Sequence, residues 1–149
     1  MTVIRPAVID DAPAIAHVHV EAWRTAYRGI MPSEFLDGLS KGDRRDKWIA
    51  ILTKDAPKEF NIVAEQDGQI VGFASGGPDR KSDPNFTGEL YAIYLLEEYR
   101  SQGIGTALFQ QSVETLLGFG MDSMKVWVLR ENPCRKFYER LGGELFGRE

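Results

Sequence analysis

A stretch near the middle of the chain, LYAIYLLEEYRSQGIGTALF, constrains the fold more than any other. Residues 90–109 begin as an apolar, β-prone run, pass through a short polar turn that contains Gly103 and Gly105, and continue as apolar residues at helical spacing. The sequence therefore predicts a strand over residues 88–95 that leads through this turn into a helix over residues 103–118.

The turn between this strand and helix has the composition of an anion-binding site. The first N–H groups of a helix have no intrahelical acceptor and carry partial positive charge, so a diphosphate can bind there. Arg100 adds a cation, and glycine lets a phosphate approach the backbone. The spacing matches neither a P-loop nor a dinucleotide-binding fingerprint. By itself RxxGxG is a weak signal, because glycine pairs also end strands and open helices for steric reasons.

The segments before this unit predict a strand, helices and a hairpin. An apolar start at residues 3–4 precedes helical structure over residues 11 to about 53, with Asp10 and Asp11 as candidate N-caps. One face of the first helix carries the apolar residues Ile15, Val18, Ala22 and Ala26. Two β-prone runs, 61–65 and 69–75, then flank Asp67-Gly68, a dipeptide typical of a hairpin turn.

The remaining segments complete a mixed sheet. Residues 76–86 combine glycine, proline and charge, which predicts a loop. A strand over 124–129 and a short helix over 133–141 follow the helix at 103–118. A strand, helix and strand in succession imply a right-handed crossover between parallel strands, whereas the hairpin supplies antiparallel ones. The chain is expected to form one mixed α and β domain over residues 1–149.

Composition excludes several function classes. The chain has 149 residues, with 43% hydrophobic and 27% charged, the balance of a folded globular protein. Its 18 Lys and Arg against 22 Asp and Glu give a net charge of −4, which disfavours polynucleotide binding. Cys134 is a lone cysteine, and no apolar run approaches the ~20 residues that cross a bilayer. We expect a cytoplasmic protein with no membrane partner.

Two stretches together resemble the motifs of a known superfamily. The RxxGxG turn at Arg100 is similar to the coenzyme-A-binding motif of the GNAT superfamily of N-acetyltransferases, and ENPCRKFYERLGG, residues 131–143, resembles its second motif. The order of elements over residues 1–146 fits as well. The resemblance implies a GNAT-like three-layer α+β fold. Its central, mostly antiparallel sheet would be splayed between the strands near 88–95 and 123–129 and flanked by helices.

The resemblance also implies acetyl-CoA as cosubstrate and assigns residues to it. The pantetheine arm would lie along the end of the strand at 93–95, where a bulge frees a backbone N–H for the thioester oxygen. The turn amides would hold the pyrophosphate, and Asn132 would bond pantetheine or simply cap the last helix. The expected cofactor-binding residues are Ile93, Tyr94, Leu95, Arg100, Ser101, Gln102, Gly103, Ile104, Gly105, Thr106 and Asn132.

The same resemblance assigns the catalytic acid. Tyr138 would protonate the departing thiolate, although packing of the last helix on the sheet also explains this residue. Glu89 is the candidate base, acting through water, and the period of two places it on the face of Tyr91 and Ile93. A solvated carboxylate at the end of a strand is an equal alternative for Glu89.

The first helix carries the candidate acceptor site. His19, Trp23 and Tyr27 recur along one edge of this helix, and the family places the acceptor pocket nearby, so Trp23 and Tyr27 are expected to bind substrate; an ordinary aromatic core edge is the alternative. His17 and His19 point about 200° apart on a helix, so no metal site is expected. Cys134 is expected to be a packed side chain rather than a nucleophile.

These inferences predict an acetyltransferase that acts on a primary amine, either a small molecule or a protein or peptide amino group. Transfer would follow direct attack in a ternary complex. The alternative is a non-catalytic acyl-CoA-binding sensor or regulatory module. Family members usually continue with two further strands, whereas only residues 144–146 form a candidate strand here, so the last C-terminal strand is expected to be absent. Its absence would leave a sheet edge uncovered, which implies either a truncated chain or a partner chain that covers the edge. A homodimer is the hypothesis that sedimentation tests.

Overall fold

The computed structural model describes residues 2–80, 87–126 and 138–139. A mixed sheet with helices on both faces forms within these ranges. Its helices and strands, in chain order, are β1 (Thr2–Pro6), α1 (Ala12–Ala26), α2 (Ser33–Asp37), α3 (Lys41–Thr53), β2 (Phe60–Gln66), β3 (Gln69–Pro78), β4 (Gly88–Leu95), α4 (Ile104–Gly118) and β5 (Met124–Val126). The predicted α+β class is confirmed.

The strands lie side by side in chain order, β1-β2-β3-β4-β5. The first three pairings are antiparallel, and β4 pairs with β5 in parallel through Gly88–Leu90. Because α4 connects β4 to β5, the predicted crossover unit is confirmed. The described part of β5 ends at Val126. Residues 127–129 of the predicted strand, and with them the predicted splay between the strands near 88–95 and 123–129, lie outside the described residues, as does most of the predicted last helix.

Each face of the sheet has its own core. On what we call the α1 face, Val63 and Phe73 pack with Ile15 and Val18 of α1 and Trp48 of α3. On the α4 face, residues from β2, β3 and β4 pack against α4, and this cluster contains Ile62, Ala74, Leu90, Ile104 and Leu108. Neighbouring strand residues alternate between the two cores, as the two-residue period of a strand requires.

The sequence pattern of α1 is confirmed, since Ile15, Val18, Ala22 and Ala26 are all buried. Its predicted N-cap is not confirmed in detail. Asp11 precedes the helix but makes no side-chain cap. Its carboxylate instead accepts from both terminal nitrogens of Arg5, at 2.8 and 3.0 Å, and from the N–H of Val8 at 2.8 Å. These bonds, chiefly that from Arg5, lower the pKa of Asp11.

The hairpin forms where it was predicted, but its second strand is longer. Asp67 and Gly68 both have positive φ, 52° and 82°, as a two-residue hairpin turn of this type requires. β3 then runs to Pro78, although the sequence predicted a loop from residue 76. A Cβ atom on Gly76 would lie 2.6 Å from the Glu89 carbonyl oxygen and 2.7 Å from the Phe60 ring. Close packing within the sheet, not a turn, therefore requires this glycine.

A β-bulge lies in β4, earlier than the sequence suggested. Ser75 pairs with Ala92 and Gly76 pairs with Leu90, which leaves Tyr91 as the extra residue rather than one of residues 93–95. The inserted residue changes the alternation of side chains. Ile93 therefore packs on the α4 face with Leu90, while Ala92 and Tyr94 pack on the α1 face.

Candidate active site

The turn between β4 and α4 carries two residues with left-handed backbone. Ser101 has a φ of 63° and Gly103 a φ of 83°, and α4 begins directly after Gly103. Ser101, Gln102 and Gly103 are exposed, whereas Ile104 is buried in the α4-face core. The turn thus stands out from the sheet while the residue that follows it anchors the helix.

The backbone amides of this turn are available to a ligand. The N–H of Arg100 donates to the Glu97 carbonyl at 3.2 Å, and the N–H of Ala107 donates to the Gly103 carbonyl at 3.0 Å. Within the described part of the chain, the six N–H groups from Ser101 to Thr106 donate to no protein acceptor. Successive N–H groups in a turn and at a helix start attract anions. This arrangement can bind a diphosphate, with the half-buried Arg100 next to it in the chain.

The three strand residues predicted to bind the cofactor divide between the two faces of the sheet. Ile93 and Leu95 pack against the α4-face core, as does the half-buried Tyr138. Tyr94 packs on the α1 face. The structure therefore places the candidate acid Tyr138 and the strand residues Ile93 and Leu95 against one cluster, on the side of the sheet that α4 covers.

The aromatic row of α1 contacts this strand from the opposite face. The Trp23 indole N–H donates to the Tyr94 hydroxyl at 2.8 Å, and Trp23 and Tyr27 meet edge to face with ring centres 4.8 Å apart. Trp23 is half-buried and Tyr27 is buried. Of the two predicted acceptor-binding residues, Trp23 thus bonds to β4 and retains exposed surface, whereas Tyr27 is buried beside it.

His19 lies at the centre of this aromatic group. Its ring stacks on Tyr94 at 5.1 Å, and its Nδ1 accepts from the Trp48 indole N–H at 3.2 Å. Burial lowers the pKa of His19 to about 4, with smaller contributions from Arg44 and Lys47. The imidazole is therefore neutral near pH 7, with its proton on Nε2 because Nδ1 is an acceptor.

Glu89 is not the solvated strand-end carboxylate that the sequence left open. It is 1% exposed, and Arg80 binds both of its oxygens. Directly across from Glu89 lies Gly77, on which a Cβ would approach the Tyr91 hydroxyl to 2.9 Å. Glu89 and Tyr91 therefore share a face, as predicted, whereas the bulge places Ile93 on the other one.

The sequence predicted the turn, but it did not predict the residues that contact Glu89 and His19. Arg80 lies in the segment predicted as a loop, and nothing in its local sequence indicates a partner nine residues away. Trp48 was predicted as helical, but only the packing of α3 against α1 brings its indole to His19. Asn132 and Cys134 lie outside the described residues.

No metal centre is found within the described ranges, where His, Cys, Asp and Glu side chains form no group of three or more that could hold an ion. His17 is exposed and His19 half-buried on the same helix, in agreement with their predicted divergence. Among residues 2–80, 87–126 and 138–139, no helix combines the length and apolar character that a membrane span needs.

Comparison with known sequences places the chain among acetyltransferases. The model of the acetyltransferase (GNAT) family matches residues 18–143. An uncharacterized N-acetyltransferase, YuaI, of Bacillus subtilis (strain 168) is 41% identical over 144 residues, which cover 97% of this chain and 81% of the relative. An uncharacterized N-acetyltransferase of Archaeoglobus fulgidus is 31% identical over 138 residues, covering 91% of this chain and 88% of the relative.

Solved structures share the fold. The PaiA N-acetyltransferase from Thermoplasma acidophilum, in complex with coenzyme A, superposes with a TM-score of 0.81 at 20% identity, covering 96% of this chain and 89% of that one. The aminoglycoside N-acetyltransferase AAC(6')-Iy, also in complex with CoA, has a TM-score of 0.77 at 19% identity, covering 100% and 91% of the two chains.

Proposed function

This chain belongs to the GNAT family of N-acetyltransferases, and we propose that it transfers the acetyl group of acetyl-CoA to a primary amine by direct attack in a ternary complex. The observation that carries the proposal is the run of six amides from Ser101 to Thr106 that donate to no protein acceptor in the described part of the chain. An unsatisfied run of this kind is costly unless water or a ligand accepts from it. The pyrophosphate of acetyl-CoA supplies such acceptors.

In this proposal the turn and the strand bind different parts of acetyl-CoA. Ser101, Gln102, Gly103, Ile104, Gly105 and Thr106 hold the pyrophosphate with Arg100 beside them. The pantetheine arm lies along Ile93, Tyr94 and Leu95, and Asn132 contributes from the last helix. Within the described residues β5 pairs with β4 over Gly88–Leu90, which precede this part of the strand. A backbone N–H of β4 then stabilises the thioester oxygen as it gains negative charge.

The chemistry follows from these positions. The nitrogen lone pair of the acceptor attacks the thioester carbonyl carbon, and the carbon–sulfur bond breaks. Tyr138 donates its phenolic proton to the departing thiolate, and Glu89 takes a proton from the amine through water. Tyr138 is suited to this role because it packs against the same cluster as Ile93 and Leu95. No metal is required, since the protein supplies the acid, the base and the oxyanion donor.

The acceptor is a small-molecule amine or a protein or peptide amino group. We place it at the α1 side, where Trp23 and Tyr27 present an aromatic edge next to Tyr94. Aromatic rings of this kind attract ammonium groups, and the net charge of −4 suits a cationic acceptor. The AAC(6')-Iy neighbour is named for its action on aminoglycosides, which carry amines.

Steady release of free CoA thiol from acetyl-CoA, measured with a panel of polyamines, amino acids, aminoglycosides and peptides, tests the function. Tyr138→Phe should lower kcat by about 100-fold, because the thiolate loses its proton donor. Calorimetry should show unchanged binding of CoA, since the phenolic hydroxyl is not part of the pyrophosphate site.

Tyr99→Phe is the matched control. Among the described residues the Tyr99 hydroxyl makes no hydrogen bond, while its ring packs on both cores. Removal of the Tyr99 hydroxyl should leave kcat within about twofold of the wild-type value. A protein that binds CoA tightly but releases no thiol with any amine would instead be the non-catalytic sensor, and one that ignores CoA altogether would contradict both readings.

A further inference from the structure

We propose that Arg80 is a positioning residue for Glu89: it fixes the orientation of the carboxylate that accepts the amine proton. The proposal rests on the function proposed above, because it needs Glu89 to act as the base. Three observations support it: the contacts between the two residues, the way the fold holds Arg80 itself, and the charges around the pair.

The contacts come from one residue to both carboxylate oxygens. The main-chain N–H of Arg80 donates to Oε1 of Glu89 at 3.0 Å. Its guanidinium donates to Oε2 through Nε at 3.2 Å and through a terminal nitrogen at 2.6 Å. The backbone contact fixes one oxygen and the side chain fixes the other, so the carboxylate cannot rotate without breaking a bond.

Among contacts within the described residues, this arrangement leaves one place for a proton donor. A carboxylate offers about four lone-pair sites, and Arg80 occupies one on Oε1 and two on Oε2. The carboxylate is 1% exposed, so bulk water does not compete for the remaining site. A fixed carboxylate with a single acceptor position on Oε1 is suited to hold one water in line with the attacking amine.

Contact with Tyr91 holds Arg80 itself in place. Its guanidinium lies over the Tyr91 ring, 4.2 Å from the ring centre, where the ring attracts the cation. The Tyr91 hydroxyl donates to the Pro78 carbonyl at 2.6 Å, which ties the end of β3 to β4. Burial raises the pKa of Tyr91 to about 12, so the hydroxyl keeps its proton for this bond. The β4 bulge, with Tyr91 as its extra residue, thereby supports Arg80.

The charges around the pair are balanced by a second ion pair. Lys125 lies directly opposite Glu89 in the β4–β5 register, and its ammonium contacts the Asp79 carboxylate at 2.7 Å. Glu59 faces the same region from the segment before β2, since a Cβ on Gly77 would meet its side chain at 2.8 Å. Glu59 is paired with Lys54. Among the described residues, Arg80 is therefore the charged group in direct contact with Glu89.

The test compares Arg80→Met and Arg80→Lys with the wild-type enzyme by steady release of CoA thiol. Arg80→Met removes the guanidinium contacts to Oε2 of Glu89, so kcat should fall about tenfold while KM for acetyl-CoA stays unchanged. Arg80→Lys keeps the charge but not the paired contacts of the guanidinium, so it should restore only part of the lost kcat.

Arg5→Met is the matched control. Arg5 also binds a buried carboxylate through two nitrogens, since its terminal nitrogens donate to the two oxygens of Asp11 at the far edge of the sheet. Its removal should lower thermal stability to a similar degree and leave kcat unchanged. In a Glu89→Gln background, Arg80→Met should lower kcat no further, because the base that Arg80 positions is absent.

The outcomes separate this proposal from the function on which it rests. An active enzyme whose kcat is unchanged in Arg80→Met, or falls as much in the Glu89→Gln background as in the wild type, overturns the role of Arg80 and leaves the acetyltransferase reaction standing. An enzyme that binds acetyl-CoA but acetylates no amine overturns both. A kcat that is lowered in Arg80→Met, partly restored in Arg80→Lys and unaffected in Arg5→Met supports the proposal.

Discussion

Two glycines of this chain have the same left-handed backbone in different settings. Gly68 lies in the β2–β3 hairpin turn with a φ of 82°, and Gly103 precedes α4 with a φ of 83°. A Cβ on either residue would meet no atom within 4 Å. The backbone angle, and not lack of space, therefore selects glycine at both positions.

Gly68→Ala and Gly103→Ala consequently form a matched pair. Each should lower the free energy of unfolding by about 1 kcal/mol, because alanine is strained at positive φ. Only Gly103→Ala should weaken CoA binding, since it alone shifts the turn amides. Chemical denaturation and calorimetry measure the two effects. Equal CoA affinity in both variants would show that the turn after β4 does not hold the cofactor.

Helix α1 contributes both to the core and to the candidate acceptor site. Its apolar stripe is buried on the sheet, while its aromatic edge reaches Tyr94 through Trp23 and His19. His19 is held in its neutral form between these rings and the Trp48 indole. Because Trp48 belongs to α3, the His19 imidazole links α1 and α3 to β4. Protonation of His19 should therefore change the stability of the fold.

The pH dependence of stability tests this link. Burial lowers the pKa of His19 from 6.5 to about 4, so between these values the unfolded chain binds more protons than the folded one. Stability is therefore retained above pH 6.5 and lost as the pH falls toward 4, by up to about 3 kcal/mol. Denaturation at a series of pH values measures the loss.

Two variants isolate the contribution of His19 from that of other acidic groups. His19→Asn keeps an acceptor near the Trp48 indole but does not titrate, so its stability should change less over this pH range. His17→Gln, on the exposed side of the same helix, should behave as the wild type. If His19→Asn and the wild type lost stability in parallel, the buried imidazole would not be the cause.

At the scale of the whole molecule, a row of charges joins three strands. Directly after β3, Arg80 forms an ion pair with Glu89 of β4, and Asp79 forms one with Lys125 of β5. β5 is held to β4 by only three register pairs in the described residues. The Asp79–Lys125 pair is almost fully buried, with side chains 3% and 10% exposed, so it is screened little by solvent. It therefore ties the parallel edge of the sheet to the antiparallel part.

Removing one member of this ion pair should destabilise the fold more than replacing both members with apolar residues. Lys125→Met removes the ammonium from a buried carboxylate and should lower the free energy of unfolding by about 3 kcal/mol. The double variant Asp79→Leu/Lys125→Met should recover most of the loss, because neither charge of the pair remains. Thermal denaturation of both variants measures this. A double variant no more stable than Lys125→Met would show that burial of the Asp79 charge does not cause the loss.

The sequence by itself determined the local elements and the motif of the turn. Four features follow from residues close together in the chain, and the structure has each of them. They are the two-residue period of the strands, the buried stripe of α1, the Asp67-Gly68 hairpin and the strand–turn–helix unit at Arg100. The family follows from the same stretch. These features depend on spacing along the chain, which is visible before the chain folds.

Only the tertiary structure decided how the candidate base is held. The bulge at Tyr91, which moves Ile93 to the opposite face, follows from the register of β4 against β3. The bonds of Arg80 to Glu89 and the burial of His19 likewise depend on which segments pack together. Register and side-chain partners are fixed by contacts between distant parts of the chain, so no local pattern records them.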